Sequence, residues 1–234
     1  MKATTAFSII LIIISFSSVS KASLITIGTT NYNGQDYNLI WDDDNNGKSV
    51  IWFDYTTPTQ ETWQDMVDWA ANLDSNLSTI LTPGYSIVWN DNTWRLPDMK
   101  DGPYVWGSDG TTTKGFNITS SEMGHLYYDE LGNLGSTAID GSYPQPGWGL
   151  NNTGDFNNLL ATWYWSDLEY NGNPGWAWRF LMYNGAQEIG DKNGPVSAIA
   201  IRTGQVSIAA VPEPVTMILF GLGLLGLAGV SRRK

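Results

Sequence analysis

Residues 57–73 read TPTQETWQDMVDWAANL, and the rest of the chain is read outward from this stretch. Thr57 supplies an N-cap oxygen, Pro58 fits the first helical position and Gln60 the capping-box position. Trp63, Met66, Val67, Ala70 and Ala71 then recur at i, i+3, i+4, i+7 and i+8, one apolar stripe of an amphipathic helix. The pattern predicts a helix over 58–73. Before it, segments 24–28, 37–41 and 49–54 are short, β-rich and separated by Asn, Gly and Asp, which predicts strands.

After the helix, 86–90 and 93–96 read as extended, and 100–117 reads as a Gly/Asp/Thr loop. A second helix is expected from Ser120 or Ser121 to Leu131. Strands are expected at 162–166, 176–182 and 197–202. Between Gly132 and Asn158 the chain is rich in Gly, Asn and Pro without periodicity, and a loop of that length is usually functional or mobile. The expectation is a single α+β domain over residues 23–205, two helices packed on mixed or antiparallel strands.

That body holds all twelve Trp and all eleven Tyr, enough for a real core, and no Cys. The lack of thiols excludes disulfides, Cys-ligated metal and thiol catalysis. Residues 23–211 carry seven basic side chains against twenty-two acidic ones, a net of −15. Such a surface repels nucleic acid and anionic membrane and offers oxygen ligands to hard cations. No nucleic-acid partner is expected.

The two ends differ from the body. Lys2, the apolar run Ala6–Phe16 and Ser20-Lys21-Ala22 have the three parts of a secretory signal, expected over residues 1–22. At the other end a 206–211 linker leads to Pro212-Glu213-Pro214, an apolar run over 215–230 and Arg232-Arg233-Lys234. Sixteen residues of helix cover about 24 Å, short for permanent residence in a bilayer but adequate for transient retention. The basic terminus keeps that end cytoplasmic and the body outside. Residues 212–234 resemble the PEP-CTERM sorting signal of Gram-negative bacteria. The resemblance implies processing by an exosortase, with an inner-membrane-retained precursor anchored through 215–230. Delivery to the cell surface or extracellular matrix follows.

A second resemblance lies in the body. The segment from Asp43 to Trp52, Trp63-Gln64-Asp65, Trp94-Arg95-Leu96-Pro97, Tyr164-Trp165-Ser166, Ala177-Trp178 and Ala200-Ile201-Arg202 follow one another in order. Over about residues 38–204 this is similar to the Lcl C-terminal-type domain of bacterial collagen-like adhesins. Residues 117–128 are similar to the members that carry PEP-CTERM tails. The family's frequent Cys positions are absent here, and of its closing motif only Arg202 is kept. The resemblance implies glycan binding, and the element order is that of a fold related to C-type lectins.

Several residues are candidates for chemistry. Arg95 can face a carboxylate or sulfate on a glycan, although an internal ion pair with an Asp is the simpler reading. Asp42, Asp44 and Asn46 match the first half of a calcium loop, but the twelfth position, where a bidentate Glu makes the affinity, is Phe53. An acidic turn is therefore the simpler reading, with a weak Ca²⁺ site as the alternative and no other cofactor expected. His125 is the sole histidine, which excludes a multi-His zinc site and reads as packed between helix and sheet. No spacing selects a carboxylate pair for glycoside hydrolysis. In the 132–158 loop, Tyr143 and Trp148 offer rings and Asn151 and Asn152 offer amides, the chemistry a neutral sugar needs, although Trp148 tucked under the loop as a plug is the simpler reading. The expected function is non-enzymatic: an exosortase-sorted surface or matrix protein in contact with exopolysaccharide. A purely structural matrix protein and, further off, a polysaccharide hydrolase are the alternatives.

Overall fold

The computed structural model describes residues 24–209, so the signal peptide, the sorting signal and its apolar run lie outside the described residues. The chain opens with β1 (Leu24–Tyr32), β2 (Gln35–Asn45) and β3 (Lys48–Phe53), an antiparallel meander. Asn33-Gly34 and Asn46-Gly47 turn it, all four with positive φ (53° and 82°, then 53° and 79°). Asn-Gly is the pair that accepts this mirror-image turn, whose twist matches the flanking strands.

The first helix, α1, runs from Trp63 to Ala71 and follows Thr62 as N-cap. It begins five residues later than the cap at Thr57 predicted. Two Thr-led boxes compete in TPTQETWQD, and Thr57 has other partners: its N–H donates to the Ala198 carbonyl and its Oγ1 accepts from the Ala198 N–H. Glu61 bridges Val196 in the same ladder-like fashion.

Beyond α1 come β4 (Ser78–Leu81) and β5 (Tyr85–Trp89), then the two-residue strands β6 (Trp106–Gly107) and β7 (Lys114–Gly115). The second helical segment starts as a single α-turn, α2 (Glu122–Gly124), and continues as a π-helix over His125–Glu130. The long loop leads into β8 (Trp163–Glu169), β9 (Trp176–Leu181), β10 (Ala186–Asp191) and β11 (Ala200–Ile208). One sheet has the order β4-β1-β2-β3-β11-β5, the other β6-β7-β10-β9-β8.

The α+β expectation of two helices packed on strands, and with it the lectin-like order, is overturned. The described residues are mostly strand, arranged in two sheets, with two short helical segments. The physical reason is the way apolar residues alternate. Val50 and Trp52 of β3 point into one core cluster while Ile51 and Phe53 point into another. Ile40 and Leu39 of β2, and Ile201 and Ala200 of β11, divide the same way. These central strands bury both faces. One face meets Tyr164, Trp178 and Phe180 of the second sheet together with Leu126 and Tyr127 of the π-helix. The other meets Trp63, Met66 and Ala70 of α1, and Trp94 and Trp165.

The long loop is fastened to this frame by Asp54, which follows β3 and is fully buried. Its carboxylate accepts from the Asn157 and Asn158 backbone N–H groups at 2.9 and 3.0 Å and from Asn158 Nδ2 at 3.3 Å. Replacing Asp54 by Ala removes the shared acceptor of these part-buried donors, each bond to a charged group being worth about 1.5–3 kcal/mol. Asp54→Ala should therefore cost about 2–4 kcal/mol in urea unfolding and speed amide exchange at Asn157 and Asn158. A cost under about 0.5 kcal/mol, within the range of an ordinary surface substitution, would show that the loop is held elsewhere.

Candidate functional site

Arg95 is spent inside the fold. Its Nη1 and Nη2 donate to Glu122 Oε2 and Oε1 at 2.7 and 2.8 Å, a bidentate pair. Glu122 is 3% exposed, and it also accepts from the Asp98 N–H at 2.6 Å and faces Lys48 Nζ at 3.5 Å. Burial pushes the Glu122 carboxyl up, but Arg95, Asp98 and Lys48 outweigh it and hold the group below its ordinary range. Trp94 and Leu96, either side of Arg95, are core.

The 132–158 loop presents rings, and its exposed Asn151 and Asn152 bond within the loop. Tyr143 is 72% exposed. Trp148 is half-buried and stands edge-on to Tyr183, ring centroids 5.1 Å apart at 87°. Asn151 Nδ2 donates to the Gly147 carbonyl at 2.9 Å, and Asn152 Nδ2 to the Leu131 carbonyl at 2.8 Å. Asn133 Oδ1 accepts from both their backbone N–H groups. These amides hold the loop together. Tyr183, half exposed beside Trp148, was not singled out in the sequence because it follows a strand and carries no motif. Separate shallow clefts lined by Asp101, Tyr170 and Asn171 share no residue with this loop.

Asp42, Asp44 and Asn46 do not converge. An irregularity in the β2–β3 register between Asp42 and Asn45 places both of those residues inside and leaves Asp44 and Asn46 exposed. Asp44 Oδ1 accepts from the Gly47 N–H at 3.0 Å, and Asn46 Nδ2 donates to the Ser121 carbonyl. The acidic run is therefore the irregular end of β2, and the turn itself is Asn46-Gly47.

The structure brings Asp42 to different partners. Ligand-type atoms of Asp42, His125 and Glu130 all lie within 4.8 Å of one another. Asp42 Oδ2 accepts from Asn45 Nδ2 at 2.8 Å and from Trp52 Nε1 at 3.3 Å. His125 Nε2 lies 3.2 Å from Glu130 Oε1, and Nδ1 lies 3.2 Å from Asp129 Oδ2. Burial raises the Asp42 carboxyl above its usual range, and burial and then Asp42 raise that of Glu130.

Residues 210–234 match the model of the PEP-CTERM protein-sorting motif. The motif marks an exported protein, processed by an exosortase, of a Gram-negative bacterium. No curated protein and no solved structure matches the chain. The expected resemblance to the Lcl C-terminal type is supported by none of these matches, and the residues on which it was read are core: Trp63, Trp94, Leu96, Tyr164, Trp165, Ser166, Ala177, Trp178, Ala200 and Ile201 are all buried.

Removing Arg95 leaves Glu122 charged, buried and short of its main partner. Arg95→Ala should destabilise the protein by about 3–5 kcal/mol in chemical denaturation, and a loss under about 1 kcal/mol would refute the internal role. A second outcome concerns Asp167, 3.9 Å from Arg95 and one-third exposed. Burial pushes its carboxyl up to about 6, against the pull of Arg95. Below about pH 3 it is protonated whether the chain is folded or not. Between about pH 3 and 6 the unfolded chain ionises first, and above 6 the fold carries the full cost of the charge. Asp167→Asn should therefore stabilise by about 1–2 kcal/mol at pH 7.5, after allowance for solvent screening, and by almost nothing at about pH 3. Thermal unfolding of both proteins across that range checks the sign.

Proposed function

We propose that the folded body is a non-enzymatic surface or matrix domain that contacts extracellular polysaccharide through the rings of its long loop. The observation that carries this reading is the perpendicular pair Trp148 and Tyr183, with Tyr143 exposed on the same loop. Sugars present C–H faces that stack on such rings, and a surface depleted of positive charge favours a neutral glycan over a sulfated one. Arg95, the group best suited to a sulfate, is engaged by Glu122. The absence of a selected catalytic carboxylate pair supports binding without turnover.

A glycan array, followed by calorimetry on the strongest neutral polysaccharide, tests this. Trp148→Ala and Tyr183→Ala should each weaken binding by about 1–2 kcal/mol, the worth of a stacked ring, and Tyr143→Ala by less. Tyr170→Ala in the separate cleft should leave binding unchanged. A lowered melting temperature with unchanged binding would mark Trp148 and Tyr183 as loop packing. Absence of saturable binding to any glycan would favour a structural matrix role, and turnover on the panel would make the protein a hydrolase.

A further inference from the structure

Five buried side-chain polar atoms among the described residues have no hydrogen-bond partner, and three of them belong to one place: Asp42 Oδ1, Asn45 Oδ1 and Glu130 Oε2. All three are acceptors. Asn45 Nδ2 donates to Asp42 Oδ2 and to the Glu122 carbonyl, two acceptors that fix the amide's orientation and leave its oxygen without a donor. Asp42 and Asn45 are fully buried, and the Glu130 side chain is 2% exposed. Buried acceptors are paired in nearly every protein, so three neighbouring orphans, two of them on carboxylates, point to a missing donor or cation.

We infer that Asp42, His125 and Glu130 bind one divalent first-row transition cation, of the Mn²⁺ to Zn²⁺ class, buried between β2 and the π-helix. Two carboxylates with an imidazole suit these ions better than Ca²⁺, which takes oxygen ligands only. Ligands about 2.0–2.2 Å from one ion lie about 3–4 Å from each other, consistent with the 4.8 Å grouping. Asp129 completes the pattern. Its carboxylate sits at His125 Nδ1, where an outer carboxylate orients a metal-bound imidazole and leaves Nε2 facing the ion.

The backbone supports the same assignment. Residues five apart on an α-helix point roughly 140° away from each other, which would separate His125 from Glu130. The segment winds instead as a π-helix, and the Leu131 N–H donates to the Leu126 carbonyl five residues back. That winding stacks position 130 over 125, and π-turns are rare and frequent at functional sites. Half-exposed Asp129 marks the side from which an ion would enter. The inference is independent of the glycan reading, because it shares no residue with the loop rings.

The test uses the full-length chain, stripped with EDTA and dialysed against Mn²⁺ or Zn²⁺. Elemental analysis should find about one ion per chain that Ca²⁺ and Mg²⁺ do not displace, with a melting temperature raised by about 4–8 °C. Glu130→Gln and His125→Gln should each weaken affinity at least about 100-fold, and Asp129→Asn about tenfold. If the ligand variants do not fold, the wild-type chain alone decides. Failure of the wild-type chain to retain either ion, or undiminished binding in a folded Glu130→Gln variant, would overturn the site. A metal-independent rise in stability in Glu130→Gln would likewise overturn it, since a shared proton would then explain the pocket.

Discussion

One buried carboxylate, that of Glu122, ties together three separate parts of the chain. It takes both guanidinium nitrogens of Arg95, the backbone N–H of Asp98 and the charge of Lys48. Its own backbone carbonyl accepts from Asn45. The tight end of the β2–β3 hairpin, the 95–98 segment paired to β11, and the start of the second helical segment are all referred to this residue. Left unpaired, such a charge would cost several kcal/mol, so the three segments are fixed together or not at all. The π-helix begins three residues later, and its position over β2 inherits that constraint.

The same frame explains why some of the fold could be read from residues and some could not. Asn33-Gly34 and Asn46-Gly47 carry their turn geometry in their own chemistry, and the first three strands follow from them. β10 escaped because AQEIGD has neither β-branched density nor alternation; it is a strand because Gln187 reaches the Lys100 and Thr113 carbonyls and its neighbours pair with β9. Tertiary pairing there overrides propensity. The helix start at Thr62 rather than Thr57 was decided by Ala198, about 140 residues away. No local pattern contains that partner.

The aromatic residues carry a related lesson. Tryptophans in the recurring motifs read equally well as a binding signature and as a core, and burial separates the two. Trp52, Trp165 and Trp178 are completely enclosed, whereas the rings left at the surface belong to the loop and to strand ends outside those motifs. A resemblance carried by enclosed residues is therefore evidence about packing. It says little about a ligand, because side chains enclosed in a core cannot reach one.

The candidate metal cluster was illegible for a reason of geometry. Reading Asp42, Asp44 and Asn46 as a set assumes a loop in which alternate residues converge, yet the irregularity in β2 turns 42 and 45 inward and 44 outward. Reading His125 on an α-helix sends Glu130 to the opposite flank, whereas the π-winding returns it to the same side. Each departure costs regular hydrogen bonding, and each makes sense only in the presence of the other. A strand irregularity facing an underwound helical turn brings two carboxylates and the sole imidazole together in a pocket with more acceptors than donors. In a chain without cysteine, where no disulfide can link a sheet to the helical turn packed on it, such a cluster would add to the link that Glu122 and Asn46 already make.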